Sequence, residues 1–363
     1  MLVDKNKKIV ILVCDNFDAT VDISFSRPLD PQLQDEVYPI YIPTNQMGRY
    51  ISSSSILSKI RNILSEYNIV NICFCRCTNE ISLEILEIAK EHSIPTSVFW
   101  DDNLLKIPKT LGDEVYDFYS NPQRVNVMLR LIQETNTFIS STLPLHHEIS
   151  NSYGCCDNKV LDIYRSITCE EETSLRLNKV NSKSINTFTI GYMGSKSHAD
   201  DLKLIEKDIL VLLHENEDIH FEIFGTIELP SSLLPFLNSQ VFVHKKCDNY
   251  GLFMNKLSNL KWDVGLAPLR AYEFNSFKAN TKWVEYTIAN IPTFASMGPT
   301  YKSIIEGGMA EEISLDLADK IKSAMIDKSS LRELLTKSKK MLIDEYHISK
   351  HSRKVLDLLL GWK

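Results

Sequence analysis

The stretch Trp262-Asp263-Val264-Gly265-Leu266-Ala267-Pro268-Leu269 is an apolar run closed by proline, and a second run, Pro292-Thr293-Phe294-Ala295-Ser296, follows a helix-length interval at 281–289. Strands that are apolar on both faces belong to a parallel sheet covered by helices on each side. Working outward, 187–193, 220–224 and 241–244 read as further strands, with helices near 199–214 and 249–260. The same alternation fills the N-terminal half: strands at 8–14, 37–42, 70–77, 95–100 and 137–141, and helices at 52–67, 80–92 and 121–134. Two Rossmann-like α/β halves therefore meet at 166–184, a polar stretch without periodicity that reads as a linker. The expected division is a first domain at 1–165, the linker, a second domain at 185–345 with closing helices near 315–327 and 330–345, and a tail at 346–363. The tail carries Val355, Leu356, Leu358, Leu359 and Leu360 and needs an apolar partner, which the first domain can supply.

Composition agrees with two cores and excludes several functions. The chain has 363 residues, 44% of them hydrophobic and 24% charged, enough for two packed domains. Its 40 Lys and Arg against 47 Asp and Glu give a formal charge of −7, which removes the broad basic field of duplex nucleic-acid binders. Any phosphate must be held by local charge. Eight cysteines in a chain this long, with no secretory pattern at its start, suit a reduced cytoplasmic protein. No apolar run approaches the roughly 20 residues needed to cross a bilayer, so attachment to the inner face of a membrane is the membrane association left open. Cys73, Cys75 and Cys77 alternate along one expected strand and read as small buried hydrophobes on one face, not as a metal site. Cys155-Cys156 reads as structural or incidental, and His146-His147 as a surface pair, with a place on the acceptor side as the alternative.

Two segments carry candidate chemistry. In Ile190-Gly191-Tyr192-Met193-Gly194-Ser195-Lys196-Ser197-His198 a strand ends in a glycine-flanked turn before a helix. Gly191 and Gly194 would let the backbone approach a phosphate, the helix N-terminus would supply free N–H groups, and His198 stands at the exit. A plain strand-to-helix turn capped by Ser197 is the alternative. In the second segment, Lys278, Lys282 and Glu285 occur at spacings of four and three and share one face of a helix beginning near Ala279. Two cations and a carboxylate there suit a nucleoside diphosphate: lysines for the phosphates, Glu285 for the ribose hydroxyls. A solvated face with an internal salt bridge is the alternative.

The order Gly191/Gly194, Asp263–Leu269, Asn275/Lys278/Lys282/Trp283/Glu285/Tyr286 and Ile291–Ser296 resembles the donor-binding domain of GT-B glycosyltransferases, and most closely family 4 enzymes of bacterial polysaccharide biosynthesis. Earlier in the chain, Cys75-Arg76-Cys77, Ile94-Pro95 and Trp100-Asp101-Asp102-Asn103-Leu104 resemble the same group more loosely. The resemblance implies two facing domains of GT-B architecture and metal-independent transfer of a sugar, with retention. The donor would be a nucleoside-diphosphate sugar, and the acceptor a glycan or lipid-linked saccharide. It implies no metal and no cofactor. Lys282 and Lys278 would steady the leaving diphosphate, with Arg270, Asn275, Gly191, Gly194, His198 and Glu285 around the donor and Asp101 or Asp102 orienting the acceptor. The chain departs from the pattern at one place: such enzymes commonly carry two glutamates with seven residues between them, and with Glu285 as the second, the first falls at Phe277. A sugar-contacting carboxylate is missing there.

Three other readings remain at this stage. A GT-B-like binding protein without catalysis would explain Phe277. A metal-dependent GT-A-type transferase would use Asp101 and Asn103. A two-domain sugar-phosphate epimerase would need paired acid and base carboxylates, which are not evident.

Overall fold

In the computed structural model the described residues are 7–46, 49–50, 52–155, 157–177 and 187–361; Cys156, the second half of the expected linker and the last two residues lie outside them. The chain forms two six-stranded sheets, each parallel throughout. The first is ordered Val37–Pro43, Lys8–Cys14, Asn68–Cys75, Thr96–Trp100, Thr137–Ser140, Asn158–Val160. The second is ordered Val241–Lys245, Ile219–Gly225, Phe188–Gly194, Val264–Ala267, Thr293–Ser296, Glu311–Ile313. In each, the strand order reverses beside the first strand, so a crevice opens at the carboxyl ends of Lys8–Cys14 and Asn68–Cys75 in one lobe, and of Phe188–Gly194 and Val264–Ala267 in the other.

Alternate residues of the strands serve opposite faces. Ile9, Ile11, Val13, Ile72 and Phe74 pack on Ile60 of helix Ser53–Glu66, Leu86 of Ile81–Glu91 and Leu131 of Pro122–Glu134. Val10, Leu12, Cys73 and Cys75 face the other way, toward Phe25, Leu29 and the C-terminal helix Ile348–Leu360. The strand stops at Cys75, and Arg76 adopts a left-handed φ of 53°. Cys77 is thereby turned into the opposite core cluster, which corrects the expected one-face trio to a pair.

The supposedly irregular linker is partly ordered. Cys169–Arg176 is a helix begun by a capping box, in which Thr168 accepts from the N–H of Glu171 and the Glu171 carboxylate accepts from the N–H of Thr168. The helix expected over 199–214 is broken into a turn at Lys196–His198 and the pieces Ala199–Leu202 and Glu206–Glu215.

Two features hold the lobes together. Phe274 and Phe277, from the turn Glu273–Phe277 of the second lobe, are 4% and 6% exposed and belong to the core cluster of the first lobe, beside Trp100, Leu104 and Leu145. The Thr142 hydroxyl donates to the Phe277 carbonyl at 2.8 Å, and Lys106 pairs with both Glu148 and Glu273 at 2.8 Å. The second feature is the returning C-terminal helix. Val355, Leu356 and Leu359 bury themselves against the first sheet, and Asn71, braced by Ser97, donates to the Leu359 carbonyl at 2.9 Å. At the crossing, the Ile167 N–H donates to the Tyr346 carbonyl at 2.7 Å, and the Ile348 N–H donates to the Ile167 carbonyl at 2.8 Å.

Leu359→Ala is expected to lower stability by about 2–5 kcal/mol, the cost of emptying a buried leucine site. Urea unfolding measures it, and a loss below about 0.5 kcal/mol, typical of a surface change, would show that the helix is not packed as described.

Candidate functional site

The carboxyl ends of both sheets face a cavity of about 240 Å³ between the lobes. Thr20, Asp101, Asp102 and Tyr164 line it from the first lobe, and His198, Tyr250, Lys278, Lys282, Glu285 and Tyr301 from the second. A larger recess, about 450 Å³, lies away from the cleft around Asp316, Asp327 and Ser330 and holds none of the candidate groups.

The helix Thr281–Ile288 sets the charged groups of the second lobe. Trp283, Val284 and Tyr286 anchor it in the core, so Lys282 and Glu285 are left on the side toward the cavity. Lys282 lies close to Lys278 and is largely shielded from water. Burial and the neighbouring ammonium lower its pKa from 10.5 to about 8. Its Nζ stands 3.4 Å from His198 Nε2, and His198 Nδ1 is 2.9 Å from Asp201 Oδ2. An ammonium can only donate, so this geometry fits a neutral imidazole that accepts from Lys282 at Nε2 and donates from Nδ1 to Asp201. The Lys282 charge first, and burial second, hold His198 well below its usual pKa. Asp201 is anchored in turn by the Arg270 N–H at 2.9 Å.

Glu285 is 7% exposed, and burial raises its carboxyl above the usual range. The Tyr250 hydroxyl donates to its Oε1 at 2.7 Å. Lys278 reaches across the cleft to Asp102, Nζ to Oδ1 3.5 Å, and its Nζ lies 4.8 Å from the Phe274 ring centre.

Several expected assignments change. Asp101 is saturated: it accepts from Arg76 at 2.7 Å, from Tyr164 at 2.8 Å and from Thr20 at 3.0 Å. It braces the rim of the first lobe, and Asp102 is the freer carboxylate facing the cleft. Gly191 lies within its strand, where a Cβ would collide with the Trp262 indole, so packing alone already requires a glycine there. Gly194 does sit at the strand end, where a Cβ would come within 3.2 Å of the His198 ring. Arg270 turns away, its Nε donating to the Asp200 carbonyl at 2.9 Å. Asn275 is buried and braces that loop through a 3.0 Å bond to the Arg270 carbonyl. Arg270 and Asn275 therefore shape the second lobe without lining the cavity. Asn103 is fully buried, and the described residues include no group of three or more His, Cys, Asp or Glu side chains placed to hold a metal.

No protein-family model matches the chain, and no curated protein matches it by sequence. Solved structures do match. Anabaena HepE in complex with UDP is similar over 98% of this chain and 100% of its own, at 12% identity and a TM-score of 0.62. The fold is that of the GT-B glycosyltransferases. A glycosyltransferase from Rickettsia africae matches over 99% of both chains at 10% identity and a TM-score of 0.65. Sucrose-phosphate synthase from Thermosynechococcus elongatus matches over 97% of this chain and 98% of its own, at 11% identity and a TM-score of 0.64. A GT-B fold has two Rossmann-like lobes, which leaves the GT-A alternative without its scaffold. The described residues include no helix long and apolar enough to cross a membrane.

Sequence reasoning missed Tyr250, Tyr164 and Arg165, and it named Arg76 only as part of a resemblance, without its partner Asp101. Each acts through a partner far along the chain, and no local spacing announces it.

Lys282 makes a testable contribution to stability. Its folded pKa is depressed to about 8, so between that value and 10.5 the unfolded chain holds a proton that the folded chain has released. Stability from this group therefore rises with pH across that window and is lower below it. After discounting for solvent screening, the difference between pH 7.5 and 9.5 is expected to be on the order of 1 kcal/mol. The change in urea-derived stability from pH 7.5 to 9.5 should be more favourable in the wild type than in Lys282→Met by about this amount, because the buried thiols Cys14, Cys73, Cys75 and Cys77, held above their usual pKa, lower the stability of both proteins alike toward pH 9.5.

Proposed function

We propose that this chain transfers a sugar, with retention and without a metal, from a nucleoside-diphosphate sugar held by the second lobe to a glycan or lipid-linked saccharide presented by the first. The observation that carries this reading is the convergence of Lys278, Lys282, His198 and Glu285 on one interlobe cavity, at the reversal point of the second sheet. Two close lysines on one interlobe cavity offer an anionic diphosphate a pair of ammonium donors. Glu285, one turn after Lys282, lies at a distance along the helix suited to the ribose hydroxyls.

As the bond from the anomeric carbon to the phosphate oxygen breaks, negative charge grows on the leaving diphosphate. Lysines already in place stabilise that charge without reorganising. The bond to the acceptor oxygen forms on the first-lobe side, where Asp102 can orient the hydroxyl, and the acceptor proton passes to the departing diphosphate or to Asp102. Uridine diphosphate is the nucleotide to test first, because the similar Anabaena protein was solved with UDP. The reading places the protein in polysaccharide or glycoconjugate assembly in the cytoplasm, at the inner membrane face where the acceptor is lipid-linked.

One observation favours a second reading. Phe277, at the position where a sugar-contacting glutamate is expected, is sunk in the first-lobe core and unavailable to a sugar. A nucleotide-sugar binding protein without transfer would tolerate that.

Thermal shifts with a panel of UDP-, GDP-, ADP-, TDP- and CMP-sugars, then transfer or hydrolysis assays, decide between the two. Activity is expected to survive EDTA. Glu285→Ala is expected to weaken donor binding by about 1.5–3 kcal/mol. Lys282→Ala is expected to depress kcat more than KM, by roughly a hundredfold. If Glu285→Ala binds nucleotide like the wild type, the donor site lies elsewhere.

A further inference from the structure

Tyr250 opens the helix Tyr250–Leu260 of the second lobe, where it stacks on Phe253, and it also meets Arg27 and Arg165 from outside that lobe. Its hydroxyl accepts from Arg165 Nε at 2.7 Å and donates to Glu285 Oε1 at 2.7 Å. An arginine Nε can only donate, so the phenol's lone pair is taken and its single proton is committed to Glu285. The direction of the chain is thereby fixed.

Arg165 is itself immobile. Its side chain is 1% exposed, and its two terminal nitrogens hold the Glu171 carboxylate at 2.7 and 3.3 Å. Glu171 is the capping-box residue of the linker helix Cys169–Arg176. The Arg27 guanidinium of the first lobe lies 4.8 Å from the centre of the Tyr250 ring, and that of Arg165 lies 5.4 Å away. The phenol is thus held by two cations from outside its own lobe.

A 2.7 Å hydrogen bond at one oxygen restrains the rotation of the Glu285 carboxylate and so biases the plane in which its remaining lone pairs lie. We propose that Tyr250 is a positioning residue for the nucleotide: it locks Glu285 in the orientation that accepts the ribose hydroxyls, and Arg165 sets that lock from the hinge. The proposal rests on the reading of Glu285 as the ribose carboxylate. It adds that ribose recognition depends on the lobe arrangement seen here, because the hydrogen bond that steers Tyr250 comes from the linker side of the hinge.

The test uses the full chain and three probes: UDP, 2′,3′-dideoxy-UDP and inorganic pyrophosphate, titrated calorimetrically into wild type and Tyr250→Phe. Wild type should bind UDP about tenfold more tightly than the dideoxy analogue, as expected for hydrogen bonds to a charged acceptor. Tyr250→Phe should lose that preference, its UDP affinity falling to the dideoxy level while affinity for the dideoxy analogue and pyrophosphate stays unchanged. In turnover, donor KM should rise by a similar factor with kcat within about twofold. If all three ligands and kcat fall together, Tyr250 is merely structural and the proposal is overturned. If wild type discriminates and Tyr250→Phe does so equally, the Tyr250 role alone fails. If wild type does not discriminate, the ribose assignment of Glu285 fails first and takes the proposal with it. Should Tyr250→Phe not fold, Glu171→Gln, which loosens Arg165, should narrow the preference for UDP over the dideoxy analogue; an unchanged preference overturns the proposal.

Discussion

The insertion of Phe274 and Phe277 into the first-lobe core is the contact on which the cleft depends. Each ring is nearly removed from water, which stabilises the closed arrangement by about 1.5–3 kcal/mol per side chain. The consequence is positional. Lys278 follows Phe277 directly, so seating the ring delivers the ammonium to the cleft opposite Asp102. A carboxylate at 277 could not have been buried there without a partner, so this chain commits position 277 to lobe-to-lobe packing.

Around that contact the charges are arranged asymmetrically. On the first-lobe rim, Asp101 is fully occupied by Arg76, Tyr164 and Thr20, which makes the rim rigid and leaves Asp102 to face the cleft. On the second lobe, two ammonium groups crowd a neutral histidine, and the low Lys282 pKa reflects its burial first and the neighbouring Lys278 ammonium second. The chain is acidic as a whole, so this close pairing of two ammonium groups comes from packing and not from composition. It gives an anion a reason to bind where the protein's overall field gives none.

The hinge is built from groups that cannot be moved singly. The C-terminal helix covers the first sheet, and its buried His351 has Nδ1 2.9 Å from the Ser166 hydroxyl. Burial, with Arg165 close by, keeps that imidazole neutral by lowering its pKa to about 3. Arg165, one residue earlier in the chain, carries the chain of hydrogen bonds through Tyr250 to Glu285. A single short segment therefore ties together the strap, the linker helix and Glu285.

The sequence by itself determined the two parallel sheets and the charged face of one helix, because these depend on local periodicity: runs apolar on both faces, and Lys278, Lys282 and Glu285 at helical spacing. It missed the short edge strands Asn158–Val160 and Glu311–Ile313, whose three residues each are too few to show a pattern. Gly191 and Gly194 looked alike in the sequence, and only the presence of Trp262 against the first separated packing from a strand-end turn. Cys77 changed faces because Arg76 takes a left-handed conformation that no alternation rule anticipates. The partners of Asp101, Glu285 and Phe277 were decided by tertiary structure alone. Tyr250 meets Glu285 across 35 positions and Arg165 across 85, while Thr142 meets Phe277 across 135. Periodicity places a side chain on a face; which distant group closes over that face, and whether a carboxylate there is free or already spent, depends on how the two lobes pack.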